Sequence, residues 1–130
     1  MSEEFKLEIV NPEKSFYSNS KVTETVVPAY EGEMGFLKNH ISIISFLKPG
    51  IIKVRFNNGE ENFYVEDGIL EFKDNLLSIL TSKIIDLKNF DKSLINENLQ
   101  NAERELENLE LADETRFIIS QKVDVLKSIN

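Results

Sequence analysis

Ile51-Ile52-Lys53-Val54-Arg55-Phe56-Asn57-Asn58-Gly59 is the stretch that decides the fold of this 130-residue chain. Ile52, Val54 and Phe56 alternate with Lys53, Arg55 and Asn57, the period of a strand with one buried face. Asn58-Gly59 then suits a tight hairpin, because both residues tolerate positive φ. Upstream, Phe5, Leu7 and Ile9 repeat the alternation. Pro49-Gly50 and Asp74-Asn75 mark further turns, and Gly32, Gly35 and Gly68 break the remaining runs. Many short strands with turns between them, and no helical pattern among them, predict an antiparallel sandwich or barrel.

Near residue 88 the period changes, and glycine and proline vanish. Ile95, Leu99, Ala102, Leu106 and Leu109 recur at steps of four and three, one narrow apolar stripe on a helix. Asp91 is placed to cap its N-terminus. A second helix is expected after Asp113-Glu114, whose acids suit a helix start. Phe117, Ile118, Ile119, Val123, Val125, Leu126 and Ile129 give it a broad apolar face. A short link around Leu111 to Asp113 makes the two an antiparallel pair. The expected division is therefore a β domain over 1–86 and a helical hairpin over 87–130.

Composition removes most chemistry. There is no cysteine, so disulfides, thiolate catalysis and thiolate zinc sites are absent. His40 is the only histidine, so no two-histidine metal site forms within one chain. No Gly-x-Ser-x-Gly elbow accompanies it, and it reads as a surface or interface residue. The acid pairs Glu31 with Glu33, and Asp67 with Glu71, read as solvated carboxylates. Gly32-Glu33-Met34-Gly35 lacks the lysine and hydroxyl of a phosphate loop. A net charge of -8 repels phosphate backbones and anionic headgroups, which argues against nucleic acid as a ligand. The acidic start resembles neither a secretory nor a mitochondrial leader, so the product is expected to stay where it is made. Ile41 to Leu47, the most apolar run, is too short to span a bilayer.

One longer segment is far more specific. Glu31-Gly32-Glu33-Met34-Gly35-Phe36-Leu37-Lys38-Asn39-His40, continuing through Ser45-Phe46-Leu47-Lys48-Pro49-Gly50, closely resembles the signature of the epsilon subunit of F-type ATP synthases (delta in mitochondria). Gly68-Ile69-Leu70-Glu71 resembles that family's Gly-Gly-Ile-Leu-Glu, with Asp67 in place of the first glycine. The order of elements matches over essentially the whole chain.

The resemblance implies a flattened β-sandwich of about ten antiparallel strands, followed by an antiparallel two-helix hairpin. It implies a non-catalytic rotor subunit, peripheral on the cytoplasmic face of a bacterial membrane and attached there only through its complex. Its partners would be the gamma subunit and the c-ring, with the alpha and beta subunits met transiently through the hairpin. Matched by position, Glu31, Gly32, Glu33, Met34 and Gly35 form the loop expected to meet the c-ring. Pro12, His40 and Ser45 fall on the face expected to meet gamma, and Arg116, Lys122 and Lys127 are the cations available to the beta subunit. Members that bind ATP carry Ile/Leu-Asp-x-x-Arg-Ala at the first helix; here only Asp91 is kept, with Leu94 and Ile95 at the arginine and alanine positions. No cofactor or metal is expected. An apolar side chain cannot pair with phosphate, and the net charge of -4 over residues 91–111 opposes approach to an acidic partner. The alternative reading is a β-sandwich adaptor of another complex.

Overall fold

The computed structural model describes residues 3–129. The chain forms two compact units, one ending at Lys88 and one beginning at Asn89. The first holds nine strands among the described residues: β1 (Phe5–Asn11), β2 (Lys14–Ala29), β3 (Gly32–Phe36), β4 (Ile43–Leu47), β5 (Gly50–Phe56), β6 (Gly59–Val65), β7 (Gly68–Lys73), β8 (Leu76–Leu80) and β9 (Ile84–Asp86).

The 16-residue β2 organises them. Its first half pairs with β1, and its second half lies between β5 and β3. One layer therefore runs β3-β2-β5-β6-β9, and the other β2-β1-β8-β7-β4. Counted once in each layer, β2 accounts for the expected strand number of about ten. Irregular register near Val22 marks where the strand passes from one layer to the other. One expectation is corrected: β1 and β8 pair in parallel. The direction of each is set by its own hairpin, with β2 and with β7, so nothing forces the two to oppose each other.

Alternation becomes burial as the sequence predicts. Phe5, Leu7, Ile9, Ile52 and Val54 are buried, while Lys53 and Arg55 are exposed. Phe36 of one layer stacks on Phe72 of the other at 5.5 Å, and Tyr17 meets Phe63 at 5.0 Å. The turn chemistry differs in one place. Phe56 pairs with Gly59, so Asn57-Asn58 form that turn and Gly59 opens β6. The two consecutive positive φ angles fall instead at Asp74 (53°) and Asn75 (60°), the geometry that suits a two-residue hairpin. Gly50 is required for another reason: a Cβ there would collide with the ring of Pro28.

The second unit is two helices, α1 (Lys92–Glu105) and α2 (Asp113–Ile129). Asp91 caps α1, accepting from the Ser93 backbone N–H at 2.9 Å. Ala102, Ile119 and Val123 pack together, with Leu99, Leu106 and Leu111 around them. The stripe ends earlier than its spacing predicts, since α1 stops at Glu105 and Leu109 stands 92% exposed in the link. Phe117 is likewise exposed, which narrows the apolar face of α2.

Every member of the main core cluster lies between Phe5 and Ile79. Residues 1–88 expressed alone are therefore expected to unfold in one cooperative urea transition. A molten or insoluble fragment would show that the helices are needed to close the core.

Candidate interaction surface

A strand buried on one face should carry polar groups on the other, but Ile43-Ile44-Ser45-Phe46-Leu47 inverts that pattern. Ser45 points inward and is 5% exposed, whereas Ile44 and Phe46 are 62% and 60% exposed on the outer face. The register extends this outer surface across four strands. Phe46 pairs with Ile69, Ile69 with Leu80, and Leu80 with Val10. Directly paired residues share a face. The result is an unbroken apolar row across β4, β7, β8 and β1. A shallow groove of about 290 Å³ follows it, lined by Val10, Ile44, Ile69 and Leu80 with Glu71 and Ser78 beside them. Contiguous exposed apolar surface with polar neighbours is the mark of an interaction site.

The expected gamma-contact residues separate into three places. Pro12 sits exposed in the β1–β2 turn, two residues beyond Val10, and so borders the row. The turn is fixed by Asn11, whose Oδ1 accepts from the Glu13 and Lys14 backbone N–H groups at 3.0 Å each. Ser45 belongs to the interior. His40 lies at the other end of the layer, its ring 4.6 Å from Phe36 and 5.5 Å from Phe72. Both of those rings face the core, so His40 caps the interior on the side of the sheet away from Phe46. The structure does not bring these three residues together.

The expected c-ring loop is mostly strand. Gly32, Glu33, Met34 and Gly35 lie in β3, and the turn itself is Tyr30-Glu31, closed by the Ala29–Gly32 pair. Glu31 and Glu33 are both exposed, and Gly32 takes the positive φ of 139° that lets the chain return. The Tyr30 backbone N–H donates to the Phe46 carbonyl at 2.8 Å, tying this tip to the strand that carries the row. Tyr30, Ile44, Phe46, Ile69, Leu80 and Val10 were not singled out from sequence. The signal was present: a strand without polar alternation is covered on both faces.

Two of the three expected hairpin cations, Arg116 and Lys127, make contacts within the pair. Arg116 donates from Nη1 to the Leu106 carbonyl at 2.9 Å and from Nη2 to the Asn108 carbonyl at 2.6 Å. Lys127 lies 3.8 Å from Glu103, and Lys122 is half-buried. At the degenerate ATP motif, the hydrogen bonds from Ser93 hold the Asp91 carboxyl below its usual range and spend it as a cap. Leu94 is 42% exposed and Ile95 is buried.

A profile of the ATP synthase delta/epsilon chain, beta-sandwich domain, matches residues 4–86. The ATP synthase epsilon chain of Pelagibacter ubique is 62% identical over 130 residues, covering 100% of both chains. That of Ruthia magnifica is 32% identical over 123 residues, 95% of this chain and 86% of the other. A chain of the Euglena gracilis mitochondrial ATP synthase, solved as OSCP/F1/c-ring, superposes with a TM-score of 0.74 at 18% identity, covering 98% of this chain and 79% of that one. A chain of the Tetrahymena thermophila mitochondrial ATP synthase central stalk and c-ring gives 0.67 at 15% identity, covering 98% and 96%.

The inversion of β4 has a direct test by urea denaturation. Ser45→Glu places an unpaired charge in the interior and is expected to cost at least about 3 kcal/mol of stability. Ile44→Glu, one residue away on the outer face, is expected to change stability by less than about 1 kcal/mol. Equal losses would mean that both faces of β4 are interior.

Proposed function

The chain belongs to the delta/epsilon-chain family of ATP synthases, and from that membership we propose that its sandwich docks on the gamma subunit through the outer apolar row. In this reading it is a non-catalytic subunit of the central stalk, at the cytoplasmic face of a bacterial membrane and held there by its complex. The observation that carries the reading is the row Phe46-Ile69-Leu80-Val10, apolar across four paired strands, with Phe46, Ile69 and Leu80 exposed and Val10 half-buried. Transmitting torque needs a contact that does not shear, and a sheet face held by its own ladder is stiffer than loops. Pro12 contributes at the rim of this contact rather than at its centre.

The Tyr30-Glu31 tip, with Glu33 beside it, meets the c-ring. Its carboxylates pair with cationic groups on the polar loops of the ring and set register more than affinity. Because Tyr30 is bonded to Phe46, the two contacts share one rigid element.

The hairpin, with Arg116 and Lys127 paired internally and net -4 over residues 91–111, is a weak inhibitor of hydrolysis. Contact of Arg116 or Lys127 with an acidic stretch of the beta subunit first requires breaking those internal bonds. Asp91 is committed to its cap and no arginine stands at position 94, so phosphate has no cationic partner at this motif.

Titration against purified gamma tests the docking face. Phe46→Glu is expected to weaken the complex by at least tenfold while the isolated chain keeps its stability. Lys53→Ala, on the other layer, is expected to leave affinity unchanged. Unchanged affinity for the Phe46 variant would put the contact elsewhere. Calorimetry with Mg-ATP is expected to show no heat of binding at millimolar nucleotide, and a measurable isotherm would contradict the reading of the motif.

A further inference from the structure

The turn between β5 and β6 is held by packing rather than by left-handed backbone. Neither Asn57, Asn58 nor Gly59 takes a positive φ. Gly59 is required because a Cβ there would stand 3.3 Å from the Phe56 ring, inside the roughly 3.5–4.0 Å of packed carbons. The fold thus fixes a glycine directly after an exposed asparagine. That pairing has a chemical consequence. With no Cβ to shield it, the glycine nitrogen is open to the side-chain amide that precedes it.

Three asparagines precede a small residue: Asn19-Ser20, Asn58-Gly59 and Asn101-Ala102. The structure protects the first and the last. Asn19 stands in the β1–β2 ladder opposite Leu7; its Nδ2 donates to Tyr17 Oη at 3.0 Å, and its Oδ1 accepts from the Lys21 N–H at 2.8 Å. Asn101 lies within α1, where the backbone cannot turn toward its own side chain without breaking helical bonds. Its Oδ1 also accepts from Arg104 Nη1 at 3.2 Å. Asn58 has neither protection. It is exposed in a two-residue turn, and its amide makes no hydrogen bond among the described residues. Gly59 is held only in the last rung of the hairpin, opposite Phe56, and such ends open locally at little cost.

We propose that Asn58 is a self-modification site, which converts to aspartate and isoaspartate with water as the only reagent. The Gly59 nitrogen gives up its proton to solvent base and attacks Asn58 Cγ. An N–C bond forms, the Cγ–Nδ2 bond breaks, and Nδ2 leaves as ammonia. Water then opens the cyclic imide at one of its two carbonyls. Attack at Cγ leaves aspartate in an unaltered backbone; attack at the main-chain carbonyl leaves isoaspartate, with one extra methylene in the backbone. Nothing is oxidised or reduced. Either product adds one negative charge to the formal net of -8.

The new carboxylate falls on a polar groove of about 300 Å³ that Asn58 shares with Glu4, Asn19, Lys21 and Phe56. Lys21, the only cation lining that groove, then shares it with two carboxylates instead of one. The isoaspartyl form also presents a free α-carboxylate on an exposed turn, the substrate class of carboxyl methyltransferases that act on isoaspartate. The β5–β6 hairpin belongs to the layer that does not carry the outer row, so the change leaves that face intact.

The full-length chain, held in mildly alkaline buffer and sampled over days, tests the proposal. Peptide mapping by mass spectrometry reads deamidation at each asparagine. An isoaspartate-specific carboxyl methyltransferase with a labelled methyl donor reads the lengthened product. Deamidation at Asn58 is expected to exceed that at Asn19 and Asn101 by at least about tenfold, since only the hairpin end opens readily. Methyl acceptance should grow on the same time course and be lost in Asn58→Gln, whose longer side chain closes the ring far more slowly. Equal deamidation at Asn19 or Asn101 would overturn the proposal, as would methyl acceptance that persists in the Asn58→Gln chain.

Discussion

Side chains on a strand alternate between two faces, so a strand that is apolar at nearly every position must be covered twice. β4 is such a strand. Ser45 and Leu47 enter the sandwich and take part in the first covering. Ile44 and Phe46 leave it and await the second. The ladder then dictates the remaining surface, because the partners of Phe46 across β7, β8 and β1 are Ile69, Leu80 and Val10. One inverted strand, propagated by register, gives the molecule an inner face that holds it together and an outer face suited to another protein. Shifting β4 by one residue would exchange the two roles.

The other constraint is the length of β2. By serving both layers it fixes where the Tyr30-Glu31 turn emerges, and the bond from Tyr30 to Phe46 joins that turn to β4. The proposed contacts with stalk and ring therefore sit on one continuous piece of sheet. Such an arrangement carries load through backbone hydrogen bonds rather than through mobile side chains.

Much of this was legible beforehand, for physical reasons. Period-two alternation at Phe5–Ile9 and Ile52–Phe56 located strands directly, and the loss of glycine and proline located the helices. The length of α1 was not legible. Its sequence contains no glycine or proline stop, and the bond from Arg116 to the Leu106 carbonyl, ten residues away, forms only in the folded pair. The parallel β1–β8 pair was hidden for the same reason, being non-local. At the site, position along the chain was a poor guide to direction. Ser45 and His40 lie in the matched segment, yet one faces the core and the other packs edgewise against core rings. Their neighbours Ile44 and Phe46 form the surface, and only alternation through a strand whose one polar residue is Ser45 could have shown it.

The central claim is that the outer row is the face covered in the assembled enzyme. A photoreactive phenylalanine analogue placed at position 46, with a second chain carrying it at Lys53 on the other layer, tests this within the intact ATP synthase. Irradiation followed by mass spectrometry should give a crosslink to gamma from position 46 and none from position 53. A crosslink from position 53 alone, or equal yields from both, would contradict the assignment of the docking face.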